Sequence, residues 1–257
     1  MGRALRNYDR SIAAMDPAGA GEPLVFTRIL CGVDGTPESL VAVRQAARLQ
    51  APEGTLQLVA VANFAKAAQA GVAATRAAQL LEQEAEAALV EACALAPAAD
   101  DTILDGDPAT VLIRRAEAEQ ATLVAVGSHG RSRAAGLILG TVAARMLRDA
   151  PCSVLIARAA PLPEAWPQSV VAGVDGSAES AAALAAARSI ADRFGATLEV
   201  LEEAPSAVEA LTAASDGADL VVLGSRGLHG LKSLGSVSER VAHRARSSVL
   251  VVRPGAA

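Results

Sequence analysis

The stretch VAVGSHGRSRAAGLILGTV, residues 124–142, ends an apolar run at Gly127, places Gly130 three residues later, and reaches Gly140 and Thr141 just before a new helix. Glycine tolerates positive φ and lets other groups approach the backbone closely. Successive N–H groups in such a turn can form an anion-binding nest. A helix opening at Gly140 and Thr141 would aim further N–H groups and its dipole at the same negative charge. The spacing Gly127-x2-Gly130-x9-Gly140-Thr141 therefore suits a phosphate-bearing ligand. Turn geometry alone is the commoner reason for an isolated pair of glycines. Asp34, closing an earlier apolar run, is a second feature that weighs towards a site.

Other chemistry is poorly supplied. The chain has no GxSxG elbow, no HExxH and no GxxxxGK[ST] loop; GLHGLKS at 227–233 only approaches the last of these, because its lysine follows leucine. Without that lysine, phosphoryl transfer lacks its usual electrostatic clamp. His129, His229 and His243 are too scattered for a metal site, although His129 lies inside the glycine loop and can reach a phosphate. Asp34 with Asp107 could hold magnesium through a nucleotide, but Asp107 sits in a Gly-Asp-Pro sequence that favours a turn role. Cys31, Cys93 and Cys152 form neither a disulfide framework nor a zinc pattern, and read as buried small hydrophobes in a reducing cytoplasm. Glu82, Glu84, Glu86 and Glu91 read as a solvated helix face.

These residues sit in a repeat. ILCGVDGTPES at 29–39 recurs as VVAGVDGSAES at 170–180, LVAVGSHG at 123–130 as LVVLGSRG at 220–227, and CSVLIAR at 152–158 as SSVLVVR at 247–253. The helical stripe Ala42, Val43, Ala46 and Leu49 recurs as Ala183, Leu184, Ala187 and Ile190. The expected order in the first copy is strand 28–33, helix 37–50, strand 55–61, one long helix about 66–95, strand 101–105, helix 108–119, strand 122–127, helix 141–149 and strand 152–157. Alternating strands and helices mean a parallel sheet covered on both faces. The fold class is thus α/β, two tandem doubly wound parallel-sheet domains. The second is truncated, with the long helix and third strand missing and four strands left. Its boundaries are a disordered tail 1–27, a first domain 28–158, a proline-rich linker 159–168 and a shortened domain 169–254.

Composition excludes several classes. Aromatic residues make up 2% of the chain and the net charge is −5, which provides neither stacking platforms nor a basic stripe for nucleic acid. The uncharged stretch 134–144 is too short to span a bilayer, which needs roughly 20 residues. The charged tail has no apolar core of the kind a signal peptide carries.

The glycine spacing, together with the VDGT opening, the GDP turn at 106–108 and the closing PCSVLIAR, resembles the universal stress protein family along the whole first copy. The resemblance implies a Rossmann-like, adenine nucleotide alpha hydrolase-like fold. It also implies an adenine-nucleotide site in which Asp34 faces the nucleoside or its metal and the backbone of Val61 meets adenine. Gly127 and Gly130 would then form the loop, and Gly140, Thr141 and Val142 the helix start. The ligand implied is ATP, ADP or AMP, whichever is more abundant, with or without Mg2+. The second copy departs from the pattern: its loop reads Gly224-x2-Gly227-x7-Gly235-Ser236, Arg226 replaces His129, Glu203 replaces Val61, and Ser236 with Glu239 forms a capping box. It is expected to bind nucleotide poorly and to serve mainly for pairing. Family members pair their last strands edge to edge, so an internal pseudo-dimer through CSVLIAR and SSVLVVR is expected, with a homodimer as a further level. The leading reading is a non-enzymatic, cytoplasmic, nucleotide-binding stress regulator; a slow ATP hydrolase and a nucleotide-independent scaffold are the alternatives.

Overall fold

Each short apolar run becomes one strand of a nine-stranded sheet in the computed structural model, which describes residues 26–69, 71–130, 139–158, 164–202, 206–225 and 237–253. The first copy runs β1 (Phe26–Val33), α1 (Pro37–Leu49), β2 (Gln50–Ala62), α2 (Phe64–Ala68), a 3-10 turn (Gly71–Ala73), α3 (Ala74–Leu95), β3 (Asp100–Asp105), α4 (Pro108–Ala118), β4 (Leu123–Gly127), α5 (Thr141–Asp149) and β5 (Ser153–Ala157). The second runs β6 (Ser169–Val174), α6 (Ala178–Phe194), β7 (Thr197–Glu202), α7 (Ala207–Ala214), β8 (Leu220–Gly224), α8 (Val237–Arg244) and β9 (Ser248–Val252). Among the described residues the second copy therefore holds four strands and no counterpart of α3 or β3.

Local chemistry accounts for the helix starts. Thr36, Asp107 and Ser177 accept N–H groups from Ser39, Thr110 and Ser180 at the heads of α1, α4 and α6, and proline occupies the first turn of α1 and α4. The expected single helix 66–95 is instead broken into α2 and α3. Gly71, with φ of +59°, takes a left-handed turn between them that a continuous right-handed helix cannot contain. β1 starts two residues before the expected domain boundary because Phe26 is buried and pairs with Gln50.

The strand order is β3-β2-β1-β4-β5-β9-β8-β6-β7, parallel throughout except where β5 meets β9 antiparallel. The apolar residues of α1, α3 and α6 pack on one face of the sheet and those of α4, α5, α7 and α8 on the other. Each of these two cores is continuous across both copies: Leu155 and Leu250 belong to one, Val154 and Val251 to the other. The edge-to-edge pairing expected of the final strands is present, with Val154↔Val251, Leu155↔Leu250 and Ile156↔Val249 in register. Every residue of β5 and β9 is buried, so the seam is core rather than surface.

Polar contacts tie the seam as well. Buried Gln45 on α1 donates to Ser248 Oγ at 2.9 Å, and the Arg158 and Arg253 amides donate to Ser248 and Ser153 at 3.2 and 3.1 Å. The linker is less free than its prolines suggest. Residues 159–163 lie outside the described set, but Trp166 is buried in the core and its carbonyl accepts from Arg48 at 2.9 Å. The chain's one tryptophan was the available sign of that anchor.

Candidate functional site

The chain winds outward from β1 through β2 to β3 and then returns to β4 on the other side of β1, leaving a crevice beyond the carboxyl ends of β1 and β4. Asp34 follows β1 there. Its Oδ1 accepts from the Thr36 amide at 3.1 Å and from the Thr36 hydroxyl at 2.6 Å, a folding back permitted by Gly35 at φ +76°. Thr36 in turn caps α1 by accepting from the Ser39 amide at 3.3 Å. The other carboxylate oxygen faces the glycine loop, since a methyl added at Gly130 would lie 3.1 Å from Asp34 Oδ2.

The loop is built against α1. A methyl at Gly127 would meet Ser39 N at 2.8 Å and the Glu38 carbonyl carbon at 2.9 Å, so only glycine allows β4 to end so near the head of α1. The Ser128 amide donates to Ala157 O at 2.8 Å, and Ser128 O accepts from the Gly140 amide at 2.8 Å, closing the two ends of the loop together. A methyl at Gly140 would stand 3.4 Å from Gly130 N, His129 Cα and Ser128 O. His129 Nδ1 lies 3.0 Å from Ser128 Oγ, while its Nε2 is buried and has no hydrogen-bond partner among the described residues. Residues 131–138 lie outside the described set.

α5 then starts on Gly140 with no side-chain cap, unlike α1, α4 and α6. The first N–H groups of a helix have no intrahelical partner, and glycine has no side-chain oxygen to offer them. The structure thus gathers Asp34, Gly127, His129, Gly130 and Gly140, with exposed Thr141 and half-buried Val142 following as the first turn of α5. Val61 stands apart, on the far side of β1 from the loop. It pairs with Leu104 of β3, one residue beyond Val33↔Ala60, where the β1–β2 ladder ends. Asp34, the Ser128–Gly130 turn and Gly140 form a cradle at the head of α5. Thr36 and Ser128, which hold the cradle's shape, were not singled out from sequence. The recurrence of a hydroxyl at both positions, Ser177 and Ser225 in the second copy, was the signal that could have found them.

Asp107 has a structural post. It caps α4 by accepting from the Thr110 amide at 3.0 Å and hydroxyl at 2.6 Å, and it pairs with Arg145 at 2.6 Å. The Thr110 hydrogen bonds, aided by Arg145, hold its carboxyl below the ordinary aspartate range. Among the described residues no three His, Cys, Asp or Glu side chains cluster as a metal site would require. Cys31 and Cys152 are buried, the latter's thiol pushed up to about 12 by burial; Cys93 is partly exposed, a departure from the expectation for all three.

The second copy repeats the strand-one turn closely. Asp175 Oδ1 accepts from the Ser177 amide at 3.1 Å and hydroxyl at 2.6 Å, and a methyl at Gly224 would lie 2.6 Å from the Glu179 carbonyl. Glu203, Arg226, Gly235 and Ser236, on which the second copy was expected to depart from the first, lie outside the described residues, as do Gly227 and His229.

Residues 26–158 and 197–253, more than half of the chain, match the universal stress protein family. A stretch of 78 residues, 30% of this chain, is 35% identical to a universal stress protein encoded in the QAH/OAS sulfhydrylase 3′ region of Thermus aquaticus, and spans 57% of that relative. A universal stress protein of Methanocaldococcus jannaschii is 27% identical over 146 residues, 54% of this chain and 85% of its own length. The fold is similar to the crystal structure of a universal stress protein from Archaeoglobus fulgidus, with a TM-score of 0.71 and 19% identity, covering 90% of this chain and all of that one.

Proposed function

The chain belongs to the universal stress protein family, and from that premise we propose that its first copy is an adenine-nucleotide-binding regulatory module. One observation carries the reading: α5 opens on a glycine that supplies no cap, directly against the Ser128–Gly130 turn. The N–H groups of Thr141, Val142 and the residue after them would receive the phosphates, with the loop at Gly127 and Gly130 closing on them and His129 Nε2 as a further polar contact. Asp34 would face the ribose or the cation that accompanies the phosphates, and the Val61 backbone would meet adenine. A bound nucleotide contributes a polyanionic tail that complements the dipole of α5. In this reading the chain binds ATP, or the more abundant of ATP, ADP and AMP, without turning it over. The second copy serves pairing, and the setting is the cytoplasm.

Calorimetry with ATP, ADP and AMP, with and without magnesium, tests this on the full chain. Micromolar affinity, roughly −8 kcal/mol, is expected for at least one of them, lost in Gly130→Ala, with phosphate release no faster than in buffer. Absence of both heat and thermal shift for every nucleotide would overturn it, and phosphate release lost in the same variant would favour the hydrolase alternative.

A further inference from the structure

The residue before Gly140 is held by the other copy. Leu139 is buried, and its amide donates to His243 Nδ1, on α8, at 3.4 Å. For the ring to accept there, its proton must sit on Nε2. The last turn of α8 is itself pinned from the first copy: Arg158 donates through Nη2 to Ala242 O at 2.5 Å and lies 3.4 Å from His243 O. In return, Arg253, just past β9, donates to Leu147 O in the last turn of α5, and its Nη1 lies 3.4 Å from Cys152 O. A guanidinium at a helix carboxyl end satisfies carbonyls that the helix leaves open. α5 is thereby gripped at its entrance and at its end by residues of the second copy.

The two arginine grips are reciprocal, but the histidine contact is not. Arg148 occupies the position in α5 that His243 occupies in α8, and it is exposed. Arginine offers no acceptor to an amide. The extra contact is therefore aimed at the copy whose glycine loop is intact. We infer that the second copy sets the geometry of the phosphate-facing turn, with His243 as a positioning residue that acts through Leu139 on the head of α5. This rests on the reading of the first copy as a nucleotide site, and it gives the degenerate copy a role in ligand affinity beyond pairing.

Two variants of the full chain test it. His243→Ala removes the acceptor, whereas His243→Asn restores one at nearly the place of Nδ1. The expected results are faster amide exchange at residues 139–142 in His243→Ala and ATP affinity lowered roughly threefold to tenfold, the loss of one hydrogen bond. Adenosine affinity should be unchanged, because the turn faces phosphate, and His243→Asn should recover both readouts. Unchanged exchange and affinity in His243→Ala would overturn the inference. So would equal losses for ATP and adenosine, or an asparagine variant no better than alanine. If the wild-type chain binds no nucleotide, the reading of the preceding section falls. The exchange measurement then decides the tether alone: faster Leu139 exchange rescued by asparagine keeps it, and unchanged exchange removes it.

Discussion

Gly127 illustrates how little room the site leaves. Its missing side chain lets the end of β4 lie against the first turn of α1, where a methyl would come within 2.8 Å of Ser39 N and 2.9 Å of the Glu38 carbonyl carbon. Both atoms are backbone, so they cannot swing aside. Gly127→Ala should cost about 1–3 kcal/mol of stability, in the range of overpacked sites, read as a lowered midpoint in denaturant with an unchanged slope. Gly130 differs, because its nearest neighbour is the Asp34 carboxylate, the far end of a side chain. The two glycines look alike in sequence, yet one separates elements of the scaffold and the other borders the crevice. Spacing alone does not distinguish them, because the distinction depends on what approaches from α1.

At the scale of the element, α5 carries the sharpest separation of stability from binding. Gly140 has φ −63° and ψ 159°, which any residue can adopt, and a methyl there would make contacts no closer than 3.4 Å. Gly140→Asp would supply the missing cap and place a negative charge at the positive end of the helix, both favourable. Thermal melts should show no loss and a gain of a few tenths of a kcal/mol, while ATP binding by calorimetry should vanish because the carboxylate takes the phosphate's place. α4 shows the opposite use of a helix head, its Asp107 cap being engaged by Thr110 and Arg145. The folded-state value of that carboxyl lies below the unfolded one. Its contribution is therefore complete above about pH 3.9, the ordinary aspartate value, and is lost as pH falls through the lower folded value. Asp107→Asn keeps a capping oxygen but cannot titrate, so its melting temperature should fall less steeply than the wild type's on acidification below about pH 4. Both helix starts were legible in the sequence as Gly-Asp-Pro and Gly-Thr. The break at Gly71 was not, because the alanine-rich period continues through it, while the positive φ and the 3-10 turn that follows interrupt the helix.

For the whole molecule the decisive feature is the seam. β5 and β9 join two sheets into one, and Leu155 and Leu250, each buried and directly paired, belong to a core fed by helices of both copies. Leu250→Ala should destabilise the chain by about 2–5 kcal/mol. Chemical denaturation should show one transition for both copies, since the cavity opens in packing they share; two separated transitions would mean that each copy melts independently. Among the described residues no helix is long and apolar enough to cross a membrane.

What the amino-acid order determined was the periodic part: alternating strands and helices, the tandem repeat, the shortened second copy and the glycine spacing. Local propensity and apolar period write these directly into neighbouring residues. What only the tertiary structure decided was which distant groups meet. Asp34 faces Gly130, Trp166 anchors the linker, Arg158 and Arg253 exchange helix ends, and His243 reaches Leu139. Each of these contacts links parts of the chain that are far apart in sequence: the pairing of β1 with β4 brings Asp34 to Gly130, and the antiparallel join of β5 and β9 makes the two copies one body in which the arginine and histidine contacts form.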